Sequence, residues 1–376
     1  MKMVLRRAIT APTKAMRRAY VALQTSSWPE ASRLFVVGDD FGWSIDDDRT
    51  RLTATARRLG YEVAPAAWAR LTKRQSVFHH DHFGALQERW LASTHRLGLS
   101  YFHGRPGTVG YPEFDRAFEM LSRHAARVDR VQVTHGEMEE LVIAAGVGPD
   151  RVFRIPIGVD IDRFPLGDGR SQGEAREALG VPASGFIVGS FLKDGVGLGD
   201  GFEPKLVKGP DTFVAVVERL RGVIPELFVL LTGPARGYVR RELERLGLPY
   251  GHVHFGSRAE LVQAYHALDA YVVASRQEGG PKAVLEAMAS GVPLVTTRVG
   301  QASELVLDEE NGLLAGVDDV DALAAAVIRV HGDAALCSRL RTAGRRTAEA
   351  HADDRLDGLW SDLLDGFVSK GRRGVD

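Results

Sequence analysis

The sequence predicts an α/β protein built from two Rossmann-like domains, with parallel sheets that face each other across a cleft. The chain has 376 residues, which exceeds one ordinary domain and suits two of moderate size. Short apolar runs alternate with helix-like stretches in both halves, as expected for βαβ units. The polar, glycine-containing stretch 166–173 is the most linker-like part of the chain. We therefore predict domains over residues 1–165 and 166–350, followed by a tail over residues 351–376.

In the first half, helix-like stretches end at glycines, which are favoured just past the end of a helix. The stretch 49–59 ends at Gly60, and the stretch 137–145 ends at Gly146. The predicted strands of this half are 34–37, 63–67, 76–78, 99–102 and 152–156.

The second half alternates more clearly. Its apolar runs, such as 228–231, fit strands that are buried on both faces. Pro210 stands at the first position of a predicted helix, where its missing N–H costs nothing. The predicted strands are 186–190, 227–232, 270–275 and 294–297, and the predicted helices are 210–221, 240–246, 281–290 and 320–330.

Composition narrows the function classes. The net charge of -1 gives no general attraction to nucleic acid, so no nucleic-acid partner is expected. The single cysteine, Cys337, excludes a disulfide scaffold and a cysteine-rich zinc site. No uninterrupted apolar run approaches the roughly 18 residues of a membrane span. We therefore expect a cytoplasmic protein.

The N-terminal extension, residues 1–30, is basic. Residues 1–24 contain six basic side chains and no acidic one, interleaved with apolar residues. This pattern fits a helix lying on anionic lipid at the inner face of a membrane. The pattern slightly favours a solvated or partly disordered extension over this lipid-bound helix, because Pro12 interrupts any single long helix.

Four predicted strands of the second half are followed by polar or glycine-containing segments. In a parallel sheet, ligands bind beyond the carboxyl ends of the strands, and glycine lets the backbone approach a ligand closely. The four segments therefore predict one binding site along this edge of the sheet. They are 191–195, 233–234, 276–280 and 298–300.

The segment after strand 270–275 carries two carboxylates, Glu278 and Glu286, separated by eight positions. Pro281 begins a predicted helix between them, so the N-terminus of that helix points toward the cleft. Free N–H groups there attract phosphate or sugar oxygens, and two carboxylates could accept hydrogen bonds from two sugar rings. The spacing alone also fits a solvated Glu278 and a surface Glu286 on an ordinary amphipathic helix.

The stretch 275–312 resembles the nucleotide-sugar site of the GT4 family of retaining glycosyltransferases, which have the GT-B fold. Glu278-Gly279-Gly280-Pro281 through Glu286 resembles the E-x7-E motif of that family. Segments 299–306 and 311–314 continue the pattern downstream, and 155–160 resembles the interdomain segment. The resemblance implies a metal-independent hexosyltransferase of polysaccharide biosynthesis. Its donor would be a nucleotide-diphosphate sugar, with no other cofactor, and its acceptor a glycan, a lipid-linked or a small molecule.

The resemblance also implies residue roles in the second domain, which would bind the donor. Glu278 would contact sugar hydroxyls and Glu286 the ribose, with Gly279, Gly280, Pro281 and Gly233 lining the donor site. Lys193 and Lys208 would neutralise the diphosphate. The family usually has arginine after the first glycine of this segment, where this chain has Ser190 and Phe191, and the insertion 195–201 separates the two lysines.

The first domain would bind the acceptor and close over the donor. Gly42 lies in a loop that resembles the glycine-containing loop of the family, and His103 resembles its cleft histidine. Glu278, Lys208 and His103 are the predicted catalytic residues. Glu113 and Arg105 are candidate acceptor contacts.

No metal site is predicted. No further ligands complete a site around His79 and His82, and the acidic run 46–48 fits the N-cap of helix 49–59.

The tail 355–368 has an apolar face typical of an amphipathic helix. In the GT4 family such a helix crosses back onto the first domain, although packing on the second domain alone fits the pattern too.

Other functions remain open: a GT-B sugar phosphorylase or epimerase, or a catalytically silent nucleotide-sugar-binding protein. A nicotinamide oxidoreductase is disfavoured, because Gly38 and Gly42 do not complete a G-x-G-x-x-G motif.

Overall fold

The computed structural model of the protein describes residues 14–38, 44–197, 199–255 and 260–370. Across these residues the chain forms two parallel sheets, one of five strands and one of six, with helices on their faces. The predicted α/β class with two parallel-sheet domains is confirmed.

The first sheet runs in the order β1-β2-β3-β4-β5, and every neighbouring pair is parallel. Alternate residues of its strands face opposite cores, because successive side chains of a strand point to opposite faces. Phe35 and Val77 pack in one cluster, and Val36 and Phe78 in another. The elements are β1 Leu34–Val37, β2 Ser76–His79, β3 Arg96–Ser100, β4 Arg130–Val133 and β5 Val152–Arg154, with α1 Lys14–Thr25, α2 Ser44–Arg58, α3 His82–Ala85, α4 Glu88–Leu91, α5 Pro112–His124 and α6 Gly136–Ala144.

The second sheet runs in the order β11-β10-β9-β6-β7-β8 and is also parallel. Both of its faces are covered, which explains the continuous apolar runs of its strands. The elements are β6 Phe186–Ser190, β7 Leu227–Thr232, β8 Tyr250–Val253, β9 Ala270–Val273, β10 Leu294–Thr297 and β11 Leu313–Ala315, with α7 Gly169–Leu179, α8 Pro210–Arg221, α9 Gly237–Leu246, α10 Leu261–His266, α11 Lys282–Ser290, α12 Ala302–Leu305, α13 Val320–Gly332, α14 Ala334–Ala350 and α15 Asp357–Leu364.

Several sequence predictions differ from the structure. The predicted strand 63–67 forms only an isolated bridge at Val63, since Pro65 then leads into a 3₁₀ helix at Ala66–Leu71. Strands β4, β8 and β11 are missing from the predicted set; in β4 the polar residues Arg130 and Gln132 interrupt the apolar pattern, and β11 is only three residues long. The linker-like stretch 166–173 contains the start of α7, which Asp168 and Ser171 cap reciprocally.

The C-terminal tail completes the core of the first domain. After α14 the chain forms a 3₁₀ helix, Asp353–Leu356, and then α15. The Trp360 ring lies 5.8 Å from the Phe78 ring, and Ser76 Oγ donates a 2.5 Å hydrogen bond to the Phe367 carbonyl. The last helix therefore covers the face of the first sheet that carries Leu34, Val36 and Phe78.

Within the described residues, no helix has both the length and the apolar content needed to cross a membrane.

This packing predicts that the tail stabilises the first domain. Trp360→Ala should lower the free energy of unfolding by about 3 kcal/mol, because it leaves a cavity against Phe78. Leu359→Ala is the matched control, since Leu359 is 39% exposed and Trp360 only 8% exposed. Urea unfolding followed by circular dichroism measures both. Equal losses for the two variants would contradict the packing role of the tail.

Candidate functional site

The two domains meet at the loop that follows β9. The Gly279 carbonyl accepts hydrogen bonds from Thr134 Oγ1 of the first domain (3.0 Å) and from the Gln301 amide of the second (2.8 Å). A Cβ at Gly279 would lie 2.5 Å from the Phe102 carbonyl oxygen, directly after β3. Residues that follow β3, β4, β9 and β10 thus converge here, so the carboxyl ends of the two sheets face one cleft.

A second contact fixes the interdomain segment. The Ile157 amide donates to Gln301 Oε1 (2.8 Å), and Gln301 Nε2 donates to the Ile157 carbonyl (3.1 Å). A Cβ at Gly280 would lie 2.6 Å from Gln301 Oε1. Gly279 and Gly280 are therefore required for domain packing, a reason that the sequence did not reveal. Their contact with a donor stays a prediction.

Glu278 is held at the inner end of this loop. It is 6% exposed, and its two oxygens have different partners. Oε1 accepts from Ser275 Oγ (2.8 Å), and Oε2 accepts from Lys208 Nζ (2.6 Å). A solvated Glu278 is therefore wrong. The structure brings Glu278 and Lys208, separated by 70 positions, into one charge-assisted pair.

The position of Lys208 depends on a tight turn before α8. Gly209 adopts φ +60°, and a Cβ there would collide with the Ala274 carbonyl. The Val207 carbonyl accepts from the amides of Arg276 (2.9 Å) and Gln277 (3.0 Å). The turn is thereby docked on the exit of β9, directly beside Glu278.

The insertion after β6 forms a hairpin, described over residues 194–197 and 199–205 and called the hairpin 194–205 below. The Lys205 amide donates to the Asp194 carbonyl (2.7 Å), and the Val196 amide donates to the Glu203 carbonyl (2.9 Å). Lys193, directly before the hairpin, therefore lies close to Lys205 at its end, and Lys205 leads into the turn that carries Lys208. Lys205 and Lys208 thus lie near Glu278, with Lys193 next to Lys205, although the sequence assigned only Lys193 and Lys208.

The electrostatics of this lysine cluster (Lys193, Lys205 and Lys208) follow from burial and like charge. Burial lowers the pKa of Lys193. Burial also lowers the pKa of Lys205, and the charges of Lys208 and Lys193 lower it further, while Glu278 acts in the opposite direction. Three lysines are opposed by two carboxylates, Glu278 and Glu113, so the cluster keeps an excess of positive charge that suits an anionic ligand.

His103 follows β3 and faces this cluster from the first domain. Burial lowers its pKa to about 4, and the Lys208 charge contributes in the same direction, whereas Glu278 opposes it. His103 is therefore neutral near pH 7. Its ring packs edge-to-face with Phe114 (5.6 Å) and His82 (5.9 Å). A neutral imidazole in this position can donate or accept a hydrogen bond without adding to the positive charge.

Glu286 lies one turn into α11 and is 4% exposed, so a surface position for it is wrong. The Tyr265 hydroxyl donates to Glu286 Oε2 (2.8 Å), and the Tyr265 ring packs against Phe191 (4.9 Å). Phe191 therefore belongs to the apolar surroundings of Glu286, and its ring supplies no charge to the site.

The acidic run 46–48 belongs to the body of α2, which begins at Ser44, so an N-cap role for it is wrong. Asp48 Oδ1 pairs with Lys282 Nζ (2.6 Å), and Lys282 is the first residue of α11, directly after Pro281. These charges connect the domains beside the cleft.

Two predicted glycines remain. Gly233 follows β7 at φ +79°, with open space where a side chain would be, and His252 Nε2 donates to its carbonyl (2.8 Å). Gly42 lies outside the described residues.

The other candidate residues have structural partners. His79 packs against Trp90 and His82 against Tyr101, and no three potential ligands converge as a metal site within the described part of the chain. Arg105 pairs with Glu137. Glu113 lies near enough to Lys205 to act on its pKa.

A cavity of about 630 Å³ also opens between the domains. It is bordered by Thr134 and Gln301, which bind the Gly279 carbonyl, and continues along α14 to His351. Its lining includes neither Glu278 nor Lys208 nor His103. Its lining has charged side chains of its own, among them Arg154, Glu304 and Arg346, so this cavity and the lysine cluster are two separate polar regions. The lysine cluster is the one that adjoins the predicted residues Glu278 and His103.

Comparison with known proteins identifies the relatives. Residues 201–333 match the family described as Glycosyl transferases group 1. The chain is 34% identical over 241 residues to a D-inositol 3-phosphate glycosyltransferase of Saccharomonospora viridis, covering 60% of this chain and 52% of that one. It is 32% identical over 219 residues to a GDP-mannose-dependent alpha-(1-6)-phosphatidylinositol monomannoside mannosyltransferase of Mycolicibacterium smegmatis, covering 54% of each. The chain thus spans about half the length of these curated relatives.

The fold has a counterpart among solved structures. The Anabaena protein HepE in complex with UDP and glucose matches 89% of this chain and 100% of its own, with a TM-score of 0.71 and 16% identity. At that identity the likeness establishes the fold. The predicted resemblance is confirmed: the chain has the GT-B fold, and residues 201–333 of its second domain match the group 1 glycosyl transferases.

Proposed function

We propose that this protein is a retaining glycosyltransferase that moves a sugar from a nucleotide-diphosphate sugar to a glycan, lipid-linked or small-molecule acceptor. The observation that carries the proposal is the lysine cluster around buried Glu278, at the cleft edge of the second domain. Lys205, Lys208 and Glu278 all lie within the matched region 201–333. The relatives named as glycosyltransferases, and the fold shared with a protein solved with UDP and glucose, support the same conclusion.

The cluster suits the chemistry of a departing diphosphate. Cleavage of the sugar–phosphate bond builds negative charge on the diphosphate and positive character on the anomeric carbon. Ammonium groups already in position stabilise that charge as it grows, without reorganising solvent. We therefore assign Lys208 and Lys193 to the diphosphate, and infer that transfer proceeds without a metal ion.

Glu278 and Glu286 would hold the two sugar rings of the donor. Each is buried and already accepts hydrogen bonds, Glu278 from Ser275 and Lys208, and Glu286 from Tyr265. A carboxylate can accept several hydrogen bonds, so both side chains suit the hydroxyl groups of the transferred sugar and of the ribose. Neutral His103 would complete the sugar site from the first domain.

For the retaining outcome we favour reaction on a single face of the sugar. The departing phosphate, held by lysines, takes the proton of the acceptor hydroxyl, and that oxygen bonds to the same face of the anomeric carbon. No covalent nucleophile is assigned, because Glu278 is engaged by Ser275 and Lys208 and is proposed to bind hydroxyls.

We further propose peripheral contact with an anionic membrane through the N-terminal segment 1–24. Helix α1 buries Val21 against the protein and exposes Met16, Tyr20 and Leu23, which share a stripe at helical spacing. The exposed Arg18 and Arg70 provide positive charge on α1 and on the 3₁₀ helix that packs beside it. An apolar stripe flanked by basic residues is typical of helices that lie in a lipid interface. Residues 1–13 lie outside the described residues.

The catalytic assignment is tested by nucleotide release. The purified protein is screened with UDP-, GDP- and dTDP-sugars, with and without candidate acceptors. With the donor that reacts, the Lys208→Ala and Glu278→Gln variants should each lower turnover by about 100-fold. Lys208→Ala removes a contact to the developing charge of the diphosphate, and Glu278→Gln weakens a contact to the sugar. Arg219→Ala is the control, since Arg219 is exposed and pairs with Asp321 on the outer surface.

Full activity of Lys208→Ala would contradict the diphosphate assignment. A donor that raises the melting temperature without any nucleotide release would instead favour a catalytically silent binding protein.

The proposed independence from metal ions is tested by measuring nucleotide release in the presence of EDTA. The rate of nucleotide release should be unchanged by EDTA, because lysines neutralise the diphosphate. Loss of activity in EDTA, with recovery on adding Mg²⁺ or Mn²⁺, would show that a cation is required.

The membrane contact is tested by cosedimentation. The protein should sediment with phosphatidylglycerol vesicles and not with phosphatidylcholine vesicles. Leu23→Asp should weaken binding about tenfold, because it removes apolar area and adds repulsion. Leu359→Asp, at an exposed leucine of α15, is the matched control. Equal sedimentation of both variants and the unaltered protein would contradict a role for α1.

A further inference from the structure

The first residues at the end of β6 carry no charge. Ser190 ends the strand and Phe191 follows it, and the Phe191 ring packs against the rings of Tyr265 (4.9 Å) and Tyr271 (5.2 Å). The Phe191 amide donates to the Tyr271 hydroxyl (3.0 Å), which fixes the backbone in this arrangement. The positive charge at this edge of the site therefore comes from Lys193, two residues further on, and from other parts of the chain.

The hairpin 194–205 is anchored by a buried ion pair. Asp194 and Arg236 are both buried, and Arg236 binds Asp194 through Nε (3.0 Å) and Nη2 (2.9 Å). Arg236 Nη1 also donates to the carbonyls of Ser190 (2.6 Å) and Thr232 (3.1 Å). The same guanidinium thus ties the hairpin to the ends of β6 and β7. Since a buried charge pair tolerates little displacement, the base of the hairpin is held in one position.

The far side of the hairpin is fixed by the backbone of α9. The amides of Gly237 and Tyr238 donate to the carbonyls of Asp200 (2.7 Å) and Gly201 (2.9 Å). A Cβ at Gly195 or at Gly201 would collide with the Ala235 carbonyl. The glycines of the insertion therefore allow close backbone packing, and the hairpin satisfies N–H groups that begin α9.

At the end of the hairpin, Lys205 lies next to the other lysines of the cluster. The Lys205 amide donates to the Asp194 carbonyl (2.7 Å), and the Lys205 carbonyl accepts from the Lys208 amide (2.8 Å). Lys208 is paired with Glu278, whereas Lys205 forms no ion pair within the described part of the chain. A half-buried ammonium beside two others is unfavourable unless an anion binds there.

We propose that Lys205, delivered by the hairpin 194–205, binds the diphosphate of the donor directly and adds its positive charge to those of Lys193 and Lys208. The inference rests on the proposed function, because it needs a diphosphate at the lysine cluster. It adds a residue and a structural device that the sequence pattern did not assign. Glu113, which faces Lys205 from the first domain, would compete for it when no ligand is bound.

Inorganic pyrophosphate is the probe, and its binding to the full-length protein is measured by isothermal titration calorimetry. Lys205→Ala should weaken pyrophosphate binding about tenfold, the usual worth of one hydrogen bond to a charged group. Lys205→Arg should restore most of the affinity, because it keeps the charge. Glu203→Ala is the matched control, since Glu203 lies on the same hairpin with its side chain exposed. Thermal unfolding of each variant verifies that it is folded.

The outcomes separate this inference from the proposed function. If Lys208→Ala loses affinity while Lys205→Ala binds as the unaltered protein does, the diphosphate site stands and the role of Lys205 is overturned. If Glu203→Ala loses as much affinity as Lys205→Ala, the effect belongs to hairpin folding, and the inference is overturned too. If the unaltered protein binds no pyrophosphate, both the proposed site and the role of Lys205 fall.

Discussion

The hydrogen bonds to the Gly279 carbonyl hold the rest of the site in register. Thr134 donates from the first domain and Gln301 from the second, so one backbone oxygen is shared by both. Because the loop is pinned there, Glu278 is directed toward Lys208, and α11 starts where Lys282 can reach Asp48 of the first domain. Any change in the angle between the domains must strain this loop. Domain movement and the geometry of the site are therefore coupled through a few backbone atoms.

Burial sets the hydrogen-bonding and the pKa values of the charged residues in the site. Glu278 and Glu286 are almost fully buried yet hydrogen-bonded, so they remain available as acceptors in a region of low solvent exposure. The lysines opposite them are partly desolvated, which lowers the pKa of Lys193 and of Lys205. Neutral His103 borders the cluster without adding charge. Such an arrangement favours a polyanion flanked by hydroxyl groups, which is the chemical form of a nucleotide-diphosphate sugar.

Two segments outside the βαβ units, the C-terminal tail and the hairpin 194–205, distinguish this chain from a simple pair of Rossmann-like domains. The tail carries Trp360 and Phe367 back to the first sheet, which joins the stability of that domain to the end of the chain. The hairpin 194–205 closes the start of α9 and leads Lys205 into the site. Each segment is held by groups distant in sequence: the tail by Phe78 and Ser76, the hairpin by Arg236.

The sequence by itself determined the α/β class and most second-domain strands, because apolar runs between helical stretches are local patterns. It also brought out Glu278 and Glu286, which stand in one motif, and Lys208, which the resemblance to a known family implies. Tertiary structure alone decided that Glu278 pairs with Lys208, that Phe191 turns into the core, and that Lys205 joins the site. It also decided that Asp48 serves an interdomain ion pair. These features depend on contacts between residues that are separated along the chain, which no local pattern records.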